Sequence, residues 1–185
     1  MGMPAAEPVS TIEELLALPD DTRRHELLDG LHVVTPSPVP RHQIAVRYLL
    51  RELERLLGDR QDLVLFASPA DVRLSPTTLV QPDLFVVQRD PHEAIREWTD
   101  VGVPVLVIEI LSPGTAARDR GRKRDIYQRA AVSSYWVVDV DARLVEQWSP
   151  SDQRPEIIRE SLEWRVEEEN LGTIDLPSLF ANIES

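Results

Sequence analysis

Cysteine is absent from the 185-residue chain, which excludes disulfide scaffolding, thiolate nucleophiles, zinc-thiolate sites and iron-sulfur ligation. Carboxylates and four histidines are left as side-chain metal ligands of ordinary strength. Positive charge is scarce: 20 basic residues stand against 32 acidic ones, a formal net charge of -12. That balance disfavours indiscriminate attraction to a polyanion, so any nucleic-acid contact needs a local basic surface. Lysine is scarcer still, because 19 of the 20 basic residues are arginine and Lys123 is the sole lysine. A function that needs a compact, adjustable ammonium has one place to find it. No apolar run approaches the length that crosses a bilayer, and the opening MGMPAAEPVS has no basic segment followed by an apolar core. A cytoplasmic protein without membrane association is therefore expected. A serine-centred elbow, a glycine-rich phosphate loop and a dinucleotide fingerprint are also missing, which leaves esterase, kinase and dinucleotide chemistry without a positive signal.

What is present suits one compact domain over residues 1–185, with 42% hydrophobic and 28% charged residues. TIEELLAL at 11–18 predicts a short helix with Thr11 and Glu14 in capping-box positions. RHELLDGLHVV at 24–34 predicts two strands turning at Asp29-Gly30, with Glu26 early in the first. After the break at TPSPVP, a helix is expected over 40–57, with Ile44, Tyr48, Leu49, Leu53, Leu56 and Leu57 as its apolar stripe. Strands are expected at 63–68, 70–74 and 83–87, with SPTTLVQP as a turn, and at 103–111, the most hydrophobic run. A helix should follow to about Ala131, then a hairpin of 134–140 and 143–149, with further strands at 156–160 and 162–166. The acidic run at 163–169 reads as a solvated edge. The order implies an α/β fold, a mixed sheet flanked by helices.

Two acids stand out. Asp83 follows Pro82 at the start of one strand, and Glu109 sits near the end of another about 25 residues later, so neighbouring strands in the right register would bring both to one rim of the sheet. Glu109 is the more telling, because VLVIEIL surrounds a carboxylate with buried residues and so obliges it to find a cation or hydrogen-bond donors. Asp119, Lys123, Ile126, Tyr127 and Ala130 fall at helical spacing, which places Lys123 on the side expected to face the sheet. The plain alternative is an Asp119/Lys123 i,i+4 pair, worth roughly 0.2–0.5 kcal/mol. Arg118, Arg122 and Arg129 lie on another face, where they can touch phosphate or merely solubilise the helix. Glu26 is either a further acid or a surface residue. His25, His32, His42 and His92 show no metal-binding spacing.

Taken together, HELLDG, SPVPRHQ, QPDLFVV and VLVIEILSPGTAARDRGRKRDIYQRAAVSSYWVVD closely resemble the bacterial family of restriction-endonuclease domains within the PD-(D/E)XK nuclease superfamily, over about residues 24–180. The resemblance implies a restriction-endonuclease-like central mixed sheet flanked by helices, and a Mg²⁺- or Mn²⁺-dependent DNA endonuclease. It makes Asp83 the acid of the PD element and Glu109 the acid of the next core strand. The usual superfamily lysine two positions later is replaced here by Leu111, and Lys123 on the following helix takes its place. Asp83, Glu109 and the main-chain carbonyl of Ile110 would hold the metal, with Glu26 directly or through water, and Lys123 would orient the attacking water. His42 and Tyr127 match recurrent positions, and Arg118, Arg122, Arg129 and His42 are candidate phosphate contacts. DNA is the implied partner, and a homodimer would set two Arg118–Arg129 segments across a cleft. The competing readings are a nucleic-acid-binding or repair-associated protein without robust cleavage, and a noncatalytic assembly module.

Overall fold

The computed structural model describes residues 9–19, 21, 23–35 and 37–185. The opening segment before Val9, and Pro36 within the break at 35–40, lie outside the described residues. In chain order the elements are α1 (Ile12–Leu16), β1 (Arg24–Leu28), β2 (Leu31–Thr35), α2 (Pro40–Leu57), β3 (Leu63–Ala67), β4 (Val72–Ser75), β5 (Thr78–Val80) and β6 (Leu84–Gln88). A 3-10 turn (Trp98–Asp100) leads to β7 (Leu106–Ile110), then α3 (Ala116–Arg118), a π-helical segment (Asp119–Lys123) and α4 (Arg124–Arg129). The chain continues through β8 (Ser134–Asp139), β9 (Leu144–Trp148), β10 (Glu156–Ile158), β11 (Ser161–Val166), β12 (Glu169–Asp175) and α5 (Leu176–Glu184).

Six strands form the central sheet in the order β10-β9-β8-β7-β6-β3, with β7 and β8 parallel and every other pair antiparallel. This is the expected α/β architecture, and all five residues of the LVIEI strand, β7, are buried at its centre. Because strand side chains alternate, each face buries its own set. On one face Leu84, Val86, Ile108 and Trp136 pack with Leu49 and Leu53 of α2 and Phe180 of α5. On the other, Phe85, Val107 and Val137 pack with Leu28, Val80 and the α4 residues Ile126 and Tyr127. The same alternation puts Asp83 and Glu109 on this second face, two residues before Phe85 and two after Val107. A separate four-stranded sheet, β2-β1-β5-β4, carries Glu26.

Local signals explain most of these elements. Thr11 and Glu14 close the expected capping box on α1, and Asp29 and Gly30, both at positive φ, turn the β1–β2 hairpin. Helix α2 occupies 40–57 as expected, but its buried stripe runs through His42, Ala45, Leu49, Leu53, Leu56 and Leu57, whereas Ile44 is 40% exposed. Two elements depart from the expected pattern. SPTTLVQP contains β5, a three-residue strand between two prolines that pairs with β4 just before it and, through Leu79 and Leu27, with β1. The helix after β7 is interrupted by π-helical turns at 119–123, a distortion frequent at functional sites. The acidic run at 163–169 is a solvated edge as expected, with Glu163, Glu167, Glu168 and Glu169 exposed on the β11–β12 hairpin.

Gly172 in β12 has φ +132°, and a Cβ built there would stand 2.7 Å from Cδ2 of Leu56 on α2. Gly172→Ala should lower stability by about 1–3 kcal/mol, the usual cost of such backbone strain, read as an earlier urea midpoint with unchanged m-value.

Candidate active site

The antiparallel β6–β7 ladder pairs Leu84 with Ile108. One step beyond that pair lie Asp83 and Glu109, so the register needed for convergence is the register found. Parallel β8 lies on the other side of β7, and the crossover between these strands is the helical segment that holds Lys123. Its buried Asp119, Lys123, Ile126 and Tyr127 face the sheet. Glu26 arrives from β1 of the smaller sheet, where its Oε1 accepts the Gln81 main-chain N–H at 2.9 Å.

Four residues widely spaced in sequence thus meet in one buried cluster. The Lys123 Nζ is 2.7 Å from Oε1 of Glu26 and 2.8 Å from Oε1 of Glu109. Tyr127 donates its hydroxyl to the same Glu109 oxygen at 2.8 Å. Asp83 Oδ2 accepts the Ile110 N–H at 2.8 Å and faces His42 Nε2 at 3.0 Å, while Oδ1 lies 3.1 Å from Arg24. Arg24 also donates to the Gln81 carbonyl. Asp83 and Glu109 are 3% exposed, Lys123 1% and Glu26 0%.

Burial shapes the charge states. It pushes the Glu109 carboxyl up against the pull of Lys123, and with Asp83, Asp119 and Glu26 nearby the group reaches about 8. Burial works in the same direction on Glu26, but Lys123 and the Gln81 N–H outweigh it and hold that carboxyl below its ordinary value. At Asp83 the hydrogen bond and charge of His42, then Arg24, overcome burial to the same effect. Asp119 is raised, chiefly by burial, despite Lys123. Burial disfavours the Lys123 ammonium, yet Glu109, Glu26 and Asp119 raise it above the ordinary lysine value. The cluster therefore combines a firmly protonated lysine with a glutamic acid that keeps its proton near neutrality.

A pocket of about 190 Å³ opens over these groups, and Arg24, His42, Asp83, Glu109, Arg118 and Lys123 are in its wall. Glu26 is outside that wall and touches Lys123 from behind it. Arg118 reaches Thr35 Oγ1 at 3.0 Å and lies 3.9 Å from Glu26. The structure places the other two candidate arginines on the β1–β2 hairpin: Arg122 on the Leu28 carbonyl at 3.2 Å, and Arg129 on Asp29 at 2.7 Å.

Arg24 and Asp119 belong to this site although the sequence reading assigned neither a role there. Arg24 precedes Glu26 by two positions in one strand, so strand alternation was an available signal for it. Asp119 shares the helical phase of Lys123, as the spacing implies, with the plain i,i+4 pair as the alternative; it is 2% exposed and its Oδ1 has no hydrogen-bond partner. Histidines without a recognisable spacing also meet elsewhere, with Nδ1 of His25 2.9 Å from Nε2 of His32 across the hairpin.

Among the described residues no group of three or more His, Asp or Glu is arranged to hold a metal ion. The oxygen donors are still of the kind that a hard divalent cation takes. Oε2 of Glu26 and Oδ1 of Asp119 are buried without hydrogen-bond partners, and Glu109 retains a proton that a cation would displace. The residues fit the group in chemistry, while Lys123, Arg24 and His42 engage the carboxylates directly. Among the described residues no helix is long and apolar enough to cross a membrane.

Residues 12–179 match the model of the Uma2 family, described as "Putative restriction endonuclease". A crystal structure described as that of a putative nuclease belonging to DUF820, from Anabaena variabilis ATCC 29413, aligns with a TM-score of 0.75 at 17% identity. The alignment covers 94% of this chain and 98% of that one, and the likeness is one of fold. No curated protein matches the sequence.

Proposed function

This chain belongs to the Uma2 family and has its nuclease-like fold of the PD-(D/E)XK superfamily, and from that premise we propose that it is a Mg²⁺- or Mn²⁺-dependent DNA endonuclease. The observation that supports the reading is the meeting of Glu26, Asp83, Glu109 and Lys123, from two sheets and a helix, in one buried cluster under a pocket. Asp83, Glu109 and the Ile110 carbonyl would hold the ion, with Glu26 directly or through water. When bound, it supplies a Lewis acid for the phosphodiester and a more acidic water.

The chain's own residues have separable tasks. Lys123 stays protonated, so it neutralises charge developing on phosphate and orients water without taking a proton from it. Arg24 and Arg118 present guanidiniums to the same pocket and pair with phosphate oxygens. Tyr127 and His42 position Glu109 and Asp83 through the hydrogen bonds described. Water oxygen joins phosphorus and gives up one proton to solvent, the bond from phosphorus to the 3′ oxygen breaks, and that oxygen takes up a proton from solvent, so the products are a 5′-phosphate and a 3′-hydroxyl.

A second reading, DNA binding without robust cleavage, draws on the carboxylates being already engaged by Lys123, Arg24 and His42. Plasmid and oligonucleotide cleavage assayed in Mg²⁺, Mn²⁺ or chelator, beside Asp83→Asn, separates the two. Metal-dependent cleavage lost in a variant that keeps its unfolding transition is expected. Equal DNA binding with and without metal, and no cleavage under any condition, would sink the endonuclease.

A further inference from the structure

Two more cavities adjoin the central pocket. One, about 390 Å³, shares Arg24, Pro38, His42 and Asp83 with it and extends past Gln43, Val46 and Pro69. The other, about 360 Å³, shares Val39, His42, Ile110 and Pro113 with it and extends past Leu111, Arg120 and Val140. His42 lines all three, is 8% exposed, and has a buried Nδ1 without a hydrogen-bond partner. The three spaces share walls at His42, and a path through them passes the smallest, over the carboxylates.

We propose that the substrate of this site is single-stranded DNA, laid along that path with the scissile phosphate in the central pocket and one nucleotide in each flanking cavity, and that paired duplex is excluded. The inference rests on the endonuclease reading and narrows it. Three observations carry it. First, the reactive groups are recessed: with Asp83 and Glu109 at 3% exposure, a phosphate must enter the pocket to meet them. A duplex holds its phosphates on a stiff cylinder backed by the partner strand, whereas a free strand can bend one phosphate inward. Second, the flanking cavities fall in the roughly 300–1,000 Å³ range that accommodates small-molecule ligands, and the central one is smaller. Pro38, Val46 and Pro69 on one side, and Val39, Leu111 and Val140 on the other, offer apolar surface to a base.

Third, the charge suits one short stretch of backbone. Arg24 and Arg118 line the central pocket, Arg24 beside Asp83 and Arg118 3.9 Å from Glu26, and several cations farther out are paired as well. Arg41 pairs with Asp141, Arg120 with Asp139 and Glu146, and Arg23 with Asp21. A net charge of -12 opposes the close approach of the two backbones of a duplex more than that of a single strand. Among the described residues no Phe, Tyr or Trp lines either flanking cavity, which leaves His42 as the aromatic ring there, so binding should be weak, with a shallow salt dependence.

The test compares circular single-stranded DNA with relaxed, covalently closed duplex. Cleavage is followed in Mn²⁺, and binding of a fluorescein-labelled oligonucleotide, single-stranded or as a blunt duplex, is followed by anisotropy in Ca²⁺. Gln43→Trp and Val39→Trp change exposed residues on the walls of the two flanking cavities, and their unfolding transitions check the fold. We expect the single strand to be preferred in both assays, and each tryptophan to change its binding about tenfold or more, weaker where the indole fills the cavity and tighter where a base stacks on it. Duplex cleaved as readily as the single strand overturns this inference and leaves the endonuclease reading standing. Single-strand binding that both variants change, without cleavage in any metal, supports the path and removes the endonuclease. Single-strand binding unchanged by both tryptophans overturns the path.

Discussion

Lys123→Met should lower stability by about 3–5 kcal/mol, the range seen when one partner is removed from a buried ion pair. The methionine keeps most of the apolar stem and loses only the ammonium, so packing contributes little to the change. What remains is Glu26, Glu109 and Asp119 in a space that no other cation fills at comparable depth, since Arg118 stands 3.9 Å from Glu26 and Arg24 is committed to Asp83. The loss should grow as pH rises, because each carboxyl that ionises adds an uncompensated buried charge. DNA cleavage should fall by about 10²–10³, the cost of removing one preorganised stabiliser of transition-state charge. Chemical denaturation at pH 6 and 8, with and without Mn²⁺, provides the check. Mn²⁺ should restore part of the lost stability by supplying the missing positive charge. An unaltered denaturation midpoint would show that the ammonium is not the keystone of this cluster.

Glu109→Gln should abolish cleavage with almost no cost in stability at neutral pH. The two substitutions differ because Glu109, pushed up to about 8, is already mostly uncharged in the folded protein. Glutamine keeps an oxygen for Tyr127 and Lys123 and removes a proton that the fold was holding. In the unfolded chain the carboxyl ionises near its ordinary value of 4.5, and in the folded chain near 8. Between those pH values the folded state binds the extra proton, so this group's contribution to stability declines as pH rises through the window. The variant lacks that decline. Its unfolding free energy should gain on the parent from pH 5 to pH 8 and run parallel above. A difference that stays constant across the window would place the Glu109 proton elsewhere.

Much of the site could be read from residue spacing because its logic is local to each element. PDLFVV announces a strand beginning on an acid, VLVIEIL a strand ending on one, and Lys123 shares the helical phase of Ile126 and Tyr127. Periodicity gives each of these a face. The charge states had no such local signature, since Glu109 owes its proton to complete burial and to Asp83, Asp119 and Glu26 together. The role of Arg24 was hidden likewise, because its partners Gln81 and Asp83 lie more than 50 residues away. Strand β5 shows the same limit in the fold. Prolines on either side make SPTTLVQP look like a turn, yet Thr78–Val80 fold back on β4, and Leu79 joins that hairpin to Leu27 of the distant β1.

The burial of Lys123 has a consequence for covalent chemistry. With one lysine in the sequence and that lysine 1% exposed, the folded surface presents no ε-amino group. Acylating reagents, amine cross-linkers and lysine-specific proteases therefore find no side-chain target until the helix lifts from the sheet. Attack at this position records the opening of the site, and a ligand that seals the pocket lengthens the lifetime of a single chemically distinguishable nitrogen.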